Sequence, residues 1–87
     1  MAYLKNNINV TNAKAIVKSD TANITDTSGE IQGGCLVYVG VGGHVKALTA
    51  TGNEVTFLNV PSGTVLPVQC VRVFSAVTTA TDMVALW

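Results

Sequence analysis

Three side chains in this 87-residue chain have the chemistry of a nucleophile, a soft metal ligand or a neutral-pH base: Cys35, Cys70 and His44. The chain holds no other cysteine or histidine. A thiol attacks as its thiolate and needs a partner base or a favourable charge to form one. His44 is the one imidazole that can serve either cysteine, so a nucleophilic centre would require the fold to bring all three together. Structural zinc needs about four nitrogen or sulfur ligands, in spacings such as CxxC or HxxxH. Neither spacing occurs, and no metal site is expected. The two thiols can pair only if their strands become neighbours. Assembly in a reducing cytoplasm favours free, buried thiols instead. His44 is expected beside a turn, partly solvated.

The other candidates are weaker. Asp20, Asp26, Glu30, Glu54 and Asp82 show no paired spacing of the kind that general acid–base chemistry uses. Asp20 and Asp26 lie in Thr- and Ser-rich stretches, where a carboxylate usually bonds local backbone. Gly40-Val41-Gly42-Gly43 looks like a phosphate-cradling loop, but such a loop must open a helix. The following His44-Val45-Lys46-Ala47-Leu48 reads as a strand, so a tight reversal using positive-φ glycines is expected here. Arg72 sits among apolar residues and is expected to pair with an acid such as Asp82 or Glu54, or with a neighbouring subunit. Trp87 ends the chain and reads as a core plug or an interface anchor. No catalytic, metal or cofactor-binding residue is assigned, and no cofactor is expected.

The elements that would hold these residues are strands. Val, Ile and Thr recur throughout, and no stretch shows sustained helical periodicity. Residues 1–34 are rich in Asn and Thr and hold six of the ten charges. They read as an extended arm with one or two weak strands. Residues 35–87 are apolar and punctuated by glycine. Strands are expected at Cys35–Val39, His44–Thr49, Glu54–Val60, Thr64–Phe74 and Asp82–Trp87, with turns at Thr51-Gly52-Asn53 and Pro61-Ser62-Gly63. In the longest strand Leu66, Val68, Cys70 and Phe74 should share one face, and Val65, Val71 and Val73 the other. A strand apolar on both faces is covered on both. Pro67 cannot donate to a ladder and should bend or delay that strand.

Composition bears on function. Between Cys35 and Trp87 only Lys46, Glu54, Arg72 and Asp82 carry charge. The whole chain is 11% charged and 48% hydrophobic, against about a quarter charged in an ordinary soluble domain. A surface so poor in charge suits an assembly subunit, and a small domain gains from oligomerisation. The net charge is zero, which gives no footprint for nucleic acid or an anionic membrane. The start, Met1 to Asn7, has no apolar signal core, so secretion by that route is not expected. The sequon at Asn9 and that at Asn23 are expected to be chance.

Leu36 to Val73, LVYVGVGGHVKALTATGNEVTFLNVPSGTVLPVQCVRV, and Thr78 to Trp87, TTATDMVALW, resemble the head-spike base proteins of tailed phages and of gene transfer agents. That family pattern runs Leu-Tyr-Val-Gly, a Gly-rich turn, Val-Thr-Phe, Val-Pro-x-Gly, Leu-Pro-Val and Thr-Thr-Ala-Thr, then Val-Ala-Leu and an aromatic. Upstream, Lys18-Ser19-Asp20-Thr21-Ala22 is similar to the family's entry. The stretch from Thr25 to Gly33 is longer and more polar than the pattern. Val77 stands where the family often has glycine, and Gln69-Cys70 replaces part of a basic run. The resemblance implies a virion protein on the capsid exterior, seating a spike at vertices or decorating capsomer junctions. It implies no catalytic residues.

The expectation is therefore a non-enzymatic, all-β protein: a small antiparallel sandwich or barrel of about six to eight strands, with residues 1–14 as an extended arm and 15–87 as one domain. Expected partners are a phage major capsid protein, further copies of the chain, and a spike or fibre protein, with no nucleic acid and no membrane. It would assemble in the host cytoplasm and reside on the virion. The rival reading is a small β-barrel module that binds carbohydrate or nucleic acid through exposed aromatics or a basic groove. An enzyme ranks third.

Overall fold

A computed structural model describes residues 10–26, 29–31 and 33–87. Most of the expected arm, with Tyr3, Ile8 and the Asn9 sequon, lies outside the described residues. The protein is all-β, with eight strands and no helix among the described residues: β1 Ala13–Ala15, β2 Thr25–Asp26, β3 Gly29–Glu30, β4 Cys35–Val39, β5 Gly43–Thr49, β6 Glu54–Val60, β7 Thr64–Val73 and β8 Val84–Leu86. Six form one antiparallel sheet in the order β1-β8-β4-β7-β5-β6, and β2 and β3 pair by themselves.

The five strands expected from the core half are all present to within two residues at either end. Their pairing differs in one respect. Gly40–Gly43 does not fold β4 back onto β5, because β7 lies between them. β7 is the longest strand and the one most apolar on both faces, so it takes the middle of the sheet, where both edges are hydrogen-bonded. The expected hairpin is found instead at Thr51–Asn53, between β5 and β6.

Gly40 and Gly42 of that crossing serve contact rather than positive φ. A Cβ on Gly42 would stand 2.4 Å from the Val60 carbonyl oxygen, and one on Gly40 would stand 2.3 Å from that of Asp82. Neither has the left-handed φ that the sequence suggested.

Bulges correct the expected faces of β7. Along β4 the register moves two residues, from Cys35 to Val37, while β7 moves four, from Cys70 to Leu66. Pro67 lies in that slack and has no N–H to offer the ladder. A second slip between Leu48 and Thr49 sets Ala47 opposite Val73 and Thr49 opposite Cys70. All four are buried. Val73 therefore shares the inner face with Cys70 and Leu66, and not the face of Val71. Strict alternation fails wherever one extra residue enters a strand.

The core is built from Val37, Val39, Val45, Ala47, Leu66, Cys70, Val73 and Ala85, with Ile24 and Ile31 added from the polar first third. That first third is tied along the sheet by backbone bonds. Ile16 N–H donates to the Met83 carbonyl, Ser19 N–H to Val73 and Ile24 N–H to Val71. Residues 19–24 thus run beside the end of β7, beyond the start of β4.

Candidate functional site

The fold brings Cys35 and Cys70 together as cross-strand partners, but among the described residues it gathers no third His, Cys, Asp or Glu into a metal-type cluster with them. His44 is half-buried on β5, and its Nδ1 accepts a hydrogen bond from the Asn59 N–H at 3.1 Å. That places the ring as a clamp on the kinked end of β6, where Asn59 has φ 54°. Among the described residues no three of His, Cys, Asp and Glu gather as a metal site. Asp20 accepts hydrogen bonds from the Ser75 and Ala76 N–H groups at 3.1 and 3.0 Å, a backbone role as expected, but with backbone 55 and 56 residues away and not with its own turn.

Arg72 does not pair with Asp82 or Glu54. Its Nε donates to Asn23 Oδ1 at 2.9 Å and its Nη1 to the Asp20 carbonyl at 3.4 Å, while the guanidinium lies 5.4 Å from the Phe74 ring centre. The ion pair with Glu54 goes to Lys46, at 3.6 Å, and the Lys46 ammonium also lies over Phe74. Leu48 sits between Arg72 and Glu54 in the sheet, opposite both. That separates the arginine from the acid by a full strand.

Cys35 and Cys70 are both free and buried. Burial pushes each thiol up to about 11, and the neighbouring Cys70 adds to the rise at Cys35. A thiol held largely protonated is a slow nucleophile and a poor ligand at neutral pH. The unfolded chain ionises its thiols near 9 and the folded chain near 11. The unfolded state therefore binds fewer protons between those values, and stability falls as pH rises through that window. We expect a melting temperature flat below pH 8 that declines from pH 9 to 11, and a much smaller decline in a Cys35→Ala/Cys70→Ala variant. Thiol labelling at pH 8 should be slow in the native protein and should find two thiols after denaturation.

The surface offers docking features instead. β6 is an edge strand, with Glu54, Val55, Thr56, Leu58 and Asn59 exposed. Leu58 is 67% exposed, Val17 82% and Val77 56%. The residues around Trp87 differ. Trp87 packs against the core and is half-buried, and its backbone N–H and C=O bond with Asn12 and Thr11. Beside it, Asn12, Lys14, Asp26 and Trp87 border an open depression. Among the described residues Tyr38, Phe57 and Trp87 are half-buried and Phe74 is buried.

Val77 adds a conformational oddity. It is β-branched, exposed and held at φ 73°, a region that costs such a residue about 1–3 kcal/mol. We expect Val77→Gly to melt a few degrees higher, a gain of about 1 kcal/mol after glycine's own entropic cost. An unchanged or lower melting temperature would show that the Val77 side chain contributes contacts within the fold.

The whole chain superposes on a gene transfer agent capsid chain. That chain belongs to the capsid of a native gene transfer agent particle, computed with C5 symmetry. The match covers 100% of this chain and 99% of the other, with a TM-score of 0.72 and 26% sequence identity. No family model matches the chain, and no curated protein matches it.

Proposed function

We propose that this chain is a non-enzymatic structural protein of a phage-like or gene transfer agent particle, carried on the outside of the capsid. It seats a head spike at vertices or decorates capsomer junctions. The observation that carries this reading is the end-to-end likeness to a capsid chain. The charge-poor half from Cys35 to Trp87 and the exposed Leu58 and Val77 support it, since such a surface suits burial in an assembly. The mechanism is docking: the β-domain self-associates and binds a symmetric capsid site, while the arm, residues 1–14, reaches a neighbour. Purified chain should co-sediment with particles made without it, and its light-scattering mass should exceed 9 kDa. A monodisperse 9 kDa monomer that leaves particles unbound would overturn the reading.

The arm yields a separate expectation. Ala13, Lys14 and Ala15 are all exposed, so β1 buries little apolar area. It contributes edge hydrogen bonds to β8 and Trp87, each worth about 1 kcal/mol net. Removing residues 1–14 should keep the β-rich circular dichroism and lower the melting temperature only moderately. The same truncation should weaken retention on particles. Failure to fold, or full retention, would reassign the arm.

A further inference from the structure

The bend where β4 meets β7 holds two thiols in register. Cys35 and Cys70 are direct partners across the antiparallel ladder, and both are buried. Direct partners project to one face, with Cα atoms about 4.5–5.5 Å apart and Cβ atoms at a similar distance. A disulfide accepts Cα separations of about 4.4–6.8 Å and needs Cβ atoms about 3.5–4.5 Å apart. A shift of under an ångström or so therefore separates the reduced pair from a bonded one.

The local backbone supplies that shift. The ladder slips immediately beyond the pair, with two surplus residues on β7 around Pro67, so β7 is not held rigidly on that side. On the other side Gly34 lets the start of β4 lie close, since a Cβ there would meet the Cys70 carbonyl oxygen at 2.7 Å. Both thiols are turned toward β7: Cys35 Sγ donates to the Cys70 carbonyl and Cys70 Sγ to the Val68 carbonyl, each at 3.5 Å. An open depression bordered by Gly33, Thr49, Val68 and Gln69 reaches the residues flanking Cys70 in sequence and across the sheet. The sulfurs themselves are closed off, with Cys35 1% and Cys70 0% exposed, so an oxidant reaches them through local opening of this region.

We propose that Cys35 and Cys70 form a peroxide-closed cross-strand disulfide site that ties β4 to β7. In the first step one thiolate attacks a peroxide oxygen. The O–O bond breaks, the sulfur becomes a sulfenic acid, and the departing hydroxide takes the thiol's proton to become water. In the second step the opposing thiolate attacks the sulfenic sulfur, forming S–S and displacing hydroxide, which leaves as water with the second thiol's proton. Two thiols and one hydrogen peroxide give one disulfide and two waters, with two electrons passing from the sulfurs to the peroxide. The opposed thiol intercepts the sulfenic acid before a second peroxide oxidises it further. Burial keeps both thiols protonated and slows the first step. The chain therefore stays reduced through assembly in a reducing compartment and closes on exposure to an oxidant.

The test uses the full-length reduced protein, folded, treated with hydrogen peroxide, quenched with catalase, then denatured and alkylated. We expect a monomer mass lower by two hydrogen atoms, no alkylation, and restoration of both thiols by dithiothreitol. The oxidised protein should melt roughly 10 °C higher. Sulfinic acid at either cysteine in the wild-type chain would overturn the proposal. So would a disulfide-linked dimer, or two alkylatable thiols after a time that fully oxidises the unfolded chain. In Cys35→Ala the remaining thiol should run on to sulfinic acid; if that variant fails to fold, the wild-type measurement decides alone.

Discussion

Deleting Leu86 and Trp87 should abolish the cooperative thermal transition. Leu86 pairs on both sides, with Ala13 of β1 and with Leu36 of β4, and is one of the three residues, with Val84 and Ala85, that form β8. Trp87 extends that pairing: its N–H donates to the Asn12 carbonyl at 3.1 Å, and its carbonyl accepts from the N–H groups of Thr11 and Asn12. Its ring packs against the core cluster. Two half-buried apolar side chains contribute about 1–2 kcal/mol each, and the backbone bonds about 1 kcal/mol each. A further cost arises because the new chain end would fall on Ala85, which is fully buried. A terminal carboxylate there is desolvated or drags its strand outward. The sum exceeds roughly 5 kcal/mol, against a total stability of about 4–13 kcal/mol for a chain of this length. Trp87→Ala alone should fold with a lowered midpoint, because it keeps the backbone pairs and moves no charge into the core. A truncated chain that melted cooperatively within a few degrees of the full one would show that β8 is held by β4 alone.

The sequence located the strands better than their neighbours. Cys35–Val39 and Glu54–Val60 were readable because β-branched runs end at glycine, proline or asparagine turns. The order β4-β7-β5 was not, since strand pairing depends on which strand can accept bonds on both edges, and that is a property of the whole sheet. The faces of β7 were misread for a related reason. Parity is lost where a single surplus residue enters β7 opposite Leu48 and Thr49, and no residue type there warns of it; the two surplus residues near Pro67 leave Leu66 and Cys70 on one face. Ile24 and Ile31 were hidden as core residues because each stands singly among polar neighbours, and a lone apolar residue has no period. Arg72 was misassigned because opposite charge was weighed and the Asn23 amide was not. The chemistry was legible mainly as scarcity. One histidine and two cysteines cannot make much, and the fold sets His44 beside Asn59 and the cysteines beside each other. Val77 carried its signal in the departure from glycine, and its φ of 73° supplies the reason glycine suits that place.

The substitution Gly40→Ala should cost about 2–4 kcal/mol, the largest loss expected from adding a single methyl group to this chain. Gly40 closes β4, and its N–H donates to the Asp82 carbonyl at 3.1 Å. Next to it, Val41 and Thr81 exchange two backbone bonds, at 2.9 and 3.1 Å. This clamp turns the chain into β8 and sets the depth at which Met83 and Ala85 enter the core. A Cβ on Gly40 would lie 2.3 Å from the Asp82 oxygen, 2.9 Å from its Cβ and 3.1 Å from its carbonyl carbon. No side-chain rotation relieves a clash with backbone, so the 81–82 segment must retreat and the three bonds lengthen together. Asp82 is already at φ 54° and has little freedom to adjust. The expected drop in melting temperature is roughly 10–25 °C. Gly52→Ala separates space from conformation: its Cβ meets nothing within 4 Å, but its φ is +99°, so it should cost only about 1 kcal/mol. If Gly40→Ala melts no lower than Gly52→Ala, the clamp is pliable and β8 is positioned by its ladder with β4 instead.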